Sequence, residues 1–207
     1  MEYFIPTGES RTELIEKRSH FVGEVFPAQT QEQARACIES VRKHYHDANH
    51  HCWCFRLLDG TERYSDDGEP QGTAGQPMLN VFQREGVTNC CCVVTRYFGG
   101  ILLGAGGLVR AYTRSAKDAL DGAGISAVRP WQSVLVPCPY RLLERVKLEI
   151  SAAGGVMGEI EYTDCVTIGA LLAEDRVDDF ILRVTDLTAG ETVVRLGETV
   201  YRAMPNR

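Results

Sequence analysis

A cluster of glycines and basic residues between positions 96 and 117 has the composition of a site for a phosphate or a phosphodiester. Its members are Arg96, Gly99, Gly100, Gly104, Gly106, Gly107, Arg110, Arg114 and Lys117. No Asp or Glu occurs from Gly86 to Lys117. The glycines precede a predicted helix, and the unpaired N–H groups at a helix N-terminus attract anions. We therefore predict an anion-binding site here. The alternative is that the glycines only permit a tight turn and the basic residues form an ordinary solvated face.

A second candidate lies in the acidic, turn-rich segment from Asp66 to Gly75. Asp66, Asp67 and Glu69 supply the carboxylate oxygens that Mg²⁺ prefers, and Mg²⁺ often shares its ligands with phosphate. Together with the basic cluster they would form a phosphoryl-transfer or phosphate-ester hydrolase site. The alternative is a folded turn in which the Asp side chains bond to their own backbone.

Histidines and cysteines crowd into a third stretch, whose members are His44, His46, His50, His51, Cys52 and Cys54. Their spacing matches no common zinc motif. Cys52 and Cys54 would share one strand face, where cysteine usually behaves as a small hydrophobic residue. We expect a structural role and no bound metal or other cofactor.

Three adjacent cysteines, Cys90 to Cys92, fall in a predicted core strand. A secreted disulfide framework does not normally place cysteines in this way, so the pattern favours reduced thiols in the cytoplasm. The longest apolar runs are too short for a membrane span. The net charge of −6 argues against indiscriminate coating of nucleic acid, so any RNA must be bound by a local basic patch.

The first part of the chain mixes strands and helices. We predict a strand pair between Glu13 and Val25, and a helix from Gln31 to Tyr45 that starts with a Thr30–Gln33 capping box. A hairpin follows around Asp59-Gly60, then a short helix from Pro77 to Arg84. The core strand contains Val93 to Thr95. The next helix starts near Gly107 and buries one apolar face, made of Leu108, Tyr112, Ala116, Ala119 and Leu120.

The pattern changes after Arg129-Pro130, which we interpret as a linker. Beyond it the predicted elements are strand, helix, two strands, helix and strand, the β-α-β-β-α-β order of a ferredoxin-like unit. We therefore predict an α+β protein of two domains, residues 1–130 and 131–207.

Two long segments resemble the IMPACT family in its bacterial YigZ-like form. They are Y-S-D-D-G-E-P-Q-G-T-A-G-Q-P at positions 64–77 and R-Y-F-G-G-I-L-L-G-A-G-G-L-V-R-A-Y at positions 96–112. The resemblance implies an N-terminal domain with the fold of the second domain of ribosomal protein S-five. It also implies a ferredoxin-like C-terminal domain similar to a domain of elongation factor G. Eukaryotic relatives are translation regulators, and the family brings no settled catalytic residues.

From these observations we predict a non-enzymatic cytoplasmic protein that binds RNA or the ribosome and modulates translation. The glycine-rich segment and the basic helix would make the contacts. A protein partner in translation control and a monomeric or weakly oligomeric state are also expected. The alternative function is the magnesium-assisted phosphate chemistry of the acidic segment.

Overall fold

The computed structural model describes residues 2–205, which fall into two compact units, Tyr3–Ala127 and Val128–Arg202. Each unit combines helices with a β-sheet. This mixture of helices and sheets is consistent with the predicted α+β fold of two domains.

The N-terminal unit contains a five-stranded antiparallel sheet and three helices. In chain order its elements are β1 (Tyr3–Pro6), β2 (Ser10–Glu16), β3 (Ser19–Pro27), α1 (Gln31–His44), β4 (His50–Arg56), β5 (Glu62–Ser65), α2 (Gly75–Arg84), β6 (Cys90–Tyr97) and α3 (Ala105–Ala123). The sheet order is β2-β3-β6-β4-β5, so β6 lies at its centre. The short strand β1 was not predicted.

Local sequence signals explain how several of these elements begin and turn. The Thr30 hydroxyl accepts the N–H of Gln33 at the start of α1, as expected for a capping box. The β2–β3 hairpin turns at Lys17 and Arg18, both with positive φ (45° and 65°). Two consecutive left-handed residues are typical of a tight hairpin turn, here without the usual glycine.

Helices cover both faces of the sheet because β6 is apolar on both sides. Cys90, Cys92 and Val94 belong to the core that includes α2 and α3, whereas Cys91 and Val93 pack with residues of α1. Alternate residues of a strand point to opposite faces, so the cysteine run fills both cores. All eight cysteines of the chain are free.

Helix α3 begins slightly earlier than predicted, at Ala105, and buries the predicted face. Its predicted apolar residues are all buried, whereas Arg110 and Arg114 are exposed. The helical spacing of the sequence therefore assigns both faces of α3 correctly.

The C-terminal unit contains most of β7 (Ile125–Cys138), then α4 (Leu143–Ala152), β8 (Val156–Tyr162), β9 (Val166–Ala173), α5 (Val177–Leu187) and most of β10 (Arg195–Pro205). Its strands follow the order β10-β7-β9-β8, and the β-α-β-β-α-β element order is as predicted. The core contains buried residues of both helices and of the central strands, such as Val134, Ile150, Ile168 and Phe180.

The predicted linker at Arg129-Pro130 is wrong, because both residues lie inside β7. Pairing of β7 with β9 begins only at Trp131, which faces Ala173. Proline lacks an N–H donor, but Pro130 lies outside this ladder and leaves it intact. The proline therefore precedes the β7–β9 ladder and does not break the strand.

Candidate functional site

The two segments that resemble a known family meet at one cavity of the N-terminal unit. The acidic loop (residues 66–74) connects β5 to α2, and the glycine-rich loop (residues 98–104) connects β6 to α3. Both contribute to the walls of a cavity of about 380 Å³, which we call the loop cavity. Its lining includes Asn49, His50, Glu69, Pro70, Arg96, Phe98, Leu102, Leu103, Gly104, Ala105 and Leu108.

A buried polar network forms one wall of this cavity. Arg96 Nη1 donates to Glu69 Oε1 at 2.5 Å, and the Tyr112 hydroxyl donates to the same oxygen at 2.8 Å. Arg96 is 4% exposed, and Glu69 is 8% exposed. Burial, together with nearby Cys52 and Glu69, raises the pKa of Tyr112, so its hydroxyl stays protonated and can donate. Arg96 is therefore buried and does not share the exposed helix face of Arg110 and Arg114.

Aromatic rings and a serine hold the Arg96 guanidinium in place. Its Cζ lies 5.3 Å from the centre of the Phe21 ring and 5.5 Å from that of Phe98. Nη2 donates to Ser19 Oγ at 3.2 Å. Cation–π contacts and the Glu69 carboxylate offset the loss of water around the buried charge.

The acidic loop is fixed by Asp66, whose carboxylate accepts three backbone N–H groups. The donors are Gly72, Ala74 and Gly75, at 2.8, 3.1 and 2.8 Å. Because the last two stand at the start of α2, Asp66 also caps that helix. This is the folded-turn alternative considered for the sequence.

Asp67 points to different partners. Its carboxylate accepts from Arg42 Nη2 at 3.0 Å and from the His51 N–H at 2.6 Å, and its carbonyl lies 2.8 Å from His50 Nδ1. The carboxylates of Asp66, Asp67 and Glu69 thus bind separate protein donors. This corrects the magnesium alternative. Among residues 2–205 no group of three or more His, Cys, Asp or Glu side chains is placed to hold a metal ion.

The histidine and cysteine stretch does not converge on one point either. His51 Nε2 lies 3.0 Å from the Tyr45 carbonyl, and Cys52 Sγ donates to the Asp66 carbonyl at 3.0 Å. Cys52 and Cys54 share the core that faces α2 and α3. Burial raises the pKa of both thiols. These residues therefore act in packing and in holding the acidic loop.

A second cavity, of about 240 Å³, lies beside α3 and contains the exposed basic residues. We call it the basic groove. Its lining consists of Leu14, Glu16, Lys17, Leu103, Gly107, Arg110, Ala111 and Arg114. Arg110 forms no ion pair within residues 2–205, and Arg114 Nε lies 3.5 Å from Asp118 on the exposed helix surface. The structure thus brings together two of the predicted basic residues and adds Lys17.

Lys117 does not join this groove. Its Nζ lies 2.5 Å from Asp121 Oδ1 and 3.4 Å from Glu85 Oε1. The hydrogen bond with Asp121 raises the pKa of Lys117. Both acidic partners lie just outside the acid-free stretch of the sequence, Glu85 before it and Asp121 after it. The prediction that Lys117 contributes free positive charge is corrected.

At two of the predicted positions the backbone geometry favours glycine over any other residue. A Cβ at Gly99 would lie 2.1 Å from the backbone carbonyl carbon of Arg18, so only glycine permits this close approach to the β2–β3 turn. Gly104 has a φ of +72° and precedes the first residue of α3. Gly100 and Gly106 are exposed, and Gly107 lines the basic groove.

Sequence reasoning missed Lys17 and Phe98, which line these two cavities, and Ser19, which accepts a hydrogen bond from Arg96. It also assigned Tyr112 to the core without a role for its hydroxyl. Lys17 and Ser19 flank a hairpin turn far from the basic cluster in sequence, and no local pattern connects them to it. The strand alternation of β6 would have found Arg96, which is two residues from Val94 and shares its face.

The sequence is similar to family models and to known proteins over most of its length. The Impact N-terminal domain model matches residues 17–120, and a domain of unknown function, DUF1949, matches residues 136–191. The IMPACT family member YvyE of Bacillus subtilis is 32% identical, covering 96% of this chain and 93% of its own length. YigZ of Escherichia coli is 35% identical, covering 84% and 87%.

A crystal structure of a hypothetical protein is also similar. It has 31% sequence identity and a TM-score of 0.60, and the match covers 95% of this chain and 98% of that chain. The glycine-rich loop and the acidic loop both lie within residues 17–120, the match to the Impact N-terminal domain. The chain therefore belongs to the IMPACT family.

Proposed function

We propose that this protein binds RNA or the ribosome in the cytoplasm and modulates translation without catalysing a reaction itself. The observation that supports it most is the convergence of Lys17, Arg110 and Arg114 on one groove at the surface. Family membership supports a translation-related role through the resemblance described above. Within residues 2–205 no helix is long and apolar enough to cross a membrane.

The charges of the groove suit a phosphodiester backbone. Arginine carries a fixed charge and a planar set of donors that match phosphate oxygens. Arg110 has no competing acidic partner within residues 2–205, so a phosphate could bind it without breaking an ion pair. Since the whole chain has a net charge of −6, binding must depend on this local surface. Contacts of this kind position a nucleic acid without reading its bases.

The two domains support the same proposal. We assign residues 1–130 to the fold of the second domain of ribosomal protein S-five, and residues 131–207 to a ferredoxin-like domain. The strand order β10-β7-β9-β8 supports the second assignment. Both folds occur in proteins that contact the ribosome. We further propose a monomer or weak oligomer that can also bind a protein partner in translation control.

Reversal of charge in the groove tests this function. The double variant Arg110→Glu/Arg114→Glu should keep its fold, because both side chains are exposed. It should sediment with ribosomes much less than the unmodified protein. Loss of two phosphate contacts should also reduce the slope of log affinity against log salt by roughly 1.4 to 1.8.

A matched control makes the same change of charge elsewhere. Arg145 and Arg176 are exposed residues of the C-terminal unit, so Arg145→Glu/Arg176→Glu alters net charge equally and leaves the groove intact. This control should retain ribosome binding and its salt slope. Equal binding by both double variants would show that the groove is only a solvated helix face.

A further inference from the structure

The loop cavity contains a buried cation with donors that no protein group uses. Arginine has five N–H donors. Arg96 donates through Nη1 to Glu69 and through Nη2 to Ser19, while its buried Nε has no partner in the described part of the chain. Nη1 and Nη2 each carry a second N–H, and because Arg96 lines the loop cavity, a ligand there could accept from these groups.

The start of α3 adds further donors to the same cavity. Gly104 and Ala105 line it, and no side chain caps the helix. The first hydrogen bond of α3 runs from the Leu108 N–H to the Gly104 carbonyl. The N–H groups of residues 105–107 therefore have no acceptor within the helix, and of these residues Ala105 lines the loop cavity, where the dipole favours negative charge.

The cavity presents fewer acceptors. Glu69 receives both of its hydrogen bonds on Oε1, and Oε2 has no donor among residues 2–205. His50 Nδ1 lies 2.8 Å from the Asp67 carbonyl and donates to it, and His50 Nε2 lies 4.0 Å from Glu69 Oε1. The charge of Glu69 is already matched by Arg96. Because donors are in excess, a complementary ligand must bring oxygen acceptors.

Part of the cavity lining is apolar. It is formed by Phe98, Leu102, Leu103 and Leu108, of which Leu102 is 82% exposed. The volume of about 380 Å³ lies within the range of small-molecule sites. Apolar lining with a few convergent polar groups is typical of sites for organic ligands.

We infer that the loop cavity is a binding site for a small organic anion. Its carboxylate or phosphate oxygens accept hydrogen bonds from Arg96 and from the first turn of α3, and its apolar part packs on Phe98 and Leu102. This site is distinct from the basic groove, although Leu103 lines both. Its occupancy gives the protein a small-molecule ligand in addition to any RNA.

Nuclear magnetic resonance titration of the full chain tests this inference. The probes are acetate and inorganic phosphate, which offer only the anionic group, and hexanoate and phenyl phosphate, which add an apolar part. We expect the amide signals of Ala105 and Leu108 to shift with the organic probes. At least one of them should bind roughly tenfold more tightly than its simple anion, which corresponds to about 1.4 kcal/mol. Preference for hexanoate or for phenyl phosphate identifies the anionic group.

A pair of variants at Ala105 separates binding from folding. Ala105 is exposed at the start of α3, so Glu or Gln should fit there. Ala105→Glu places a negative charge where the dipole favours it, so thermal stability should not fall, yet anion affinity should drop at least roughly tenfold. Ala105→Gln has nearly the same size without the charge and should bind within about threefold of the unmodified protein.

Three results would overturn the inference. One is the absence of shifts around the loop cavity with every probe at about 20 mM, well above a millimolar dissociation constant. Another is equal affinity of Ala105→Glu and Ala105→Gln. The third is a response confined to Lys17, Arg110 and Arg114, which would assign the anions to the basic groove and leave the proposed RNA site unaffected.

Discussion

Arg96 and Arg110 come from the same acid-free stretch but lie in opposite environments. Arg96 is buried between two aromatic rings and bound to Glu69, whereas Arg110 is exposed beside the basic groove and forms no ion pair within residues 2–205. The first arginine is part of the architecture of the N-terminal unit. The second is available to a partner.

The difference shows that basic residues close together in the sequence need not form one surface in the folded protein. The acidic partner of Arg96 comes from a loop 27 residues earlier in the chain. A buried ion pair is costly to break from one side, because the remaining charge has no water to solvate it. An exposed arginine can be replaced at little cost to folding. Stability and binding measurements should therefore respond in opposite ways to changes in the two regions.

The largest effect should come from Arg96→Met. This change leaves the buried Glu69 carboxylate without its cation, and we expect the free energy of unfolding to fall by about 3–5 kcal/mol. Urea unfolding followed by circular dichroism measures it.

The double variant Arg96→Met/Glu69→Leu provides the control. It removes both charges and should be more stable than Arg96→Met alone, although Tyr112 then loses its acceptor. If Arg96→Met unfolds at the same urea concentration as the unmodified protein, the Arg96–Glu69 pair does not stabilise the fold.

A smaller loss is expected from Tyr112→Phe. The hydroxyl of Tyr112 donates to Glu69 in the buried network, and a hydrogen bond to a charged group contributes about 1.5–3 kcal/mol. The ring keeps its edge-on contact with Phe21, so packing changes little.

The matched control is Tyr97→Phe, because the Tyr97 hydroxyl also donates to a carboxylate, that of Asp47, but at the surface. Its removal should change the free energy of unfolding by less than about 1 kcal/mol. Comparable losses at Tyr97 and Tyr112 would contradict the assigned importance of burial.

The smallest effect should come from the basic groove. Arg110→Ala and Arg114→Ala should each alter the free energy of unfolding by no more than about 0.5 kcal/mol, since neither side chain is buried and the Arg114–Asp118 pair is exposed. Denaturation of both variants beside Arg96→Met gives the comparison directly. A loss of several kcal/mol at Arg110 would mean that it is structural like Arg96.

Most elements of the fold could be predicted because their signals are local. Helical spacing identified the buried face of α3, and the Thr30–Gln33 pair identified the start of α1. The error at Pro130 arose because proline was read as a strand breaker, whereas it lies just outside the β7–β9 ladder. Strand β1 is only four residues long and carries too little periodicity to detect.

The candidate site could be predicted only in part because its contacts are distant in sequence. The glycines and the exposed arginines were visible as a cluster, but the pairing of Arg96 with Glu69 depends on how the acidic loop folds back. The Asp66 carboxylate closes that loop by accepting the backbone N–H groups of Gly72 and Gly75, which directs Glu69 into the core. Charge composition alone could not separate a structural arginine from an available one.

The order of the N-terminal sheet has a consequence for the time course of folding. Strand β3 pairs with β6 and not with β4, the next strand in the chain. Arg96 accordingly donates a hydrogen bond to Ser19, 77 residues earlier. Closing such long loops costs entropy before any contact compensates for it, which slows folding. The β8–β9 pair of the C-terminal unit joins strands that are adjacent in the chain. During refolding, the hairpin should gain amide protection first, and the loop cavity should appear only when the central strand β6 has found both of its neighbours.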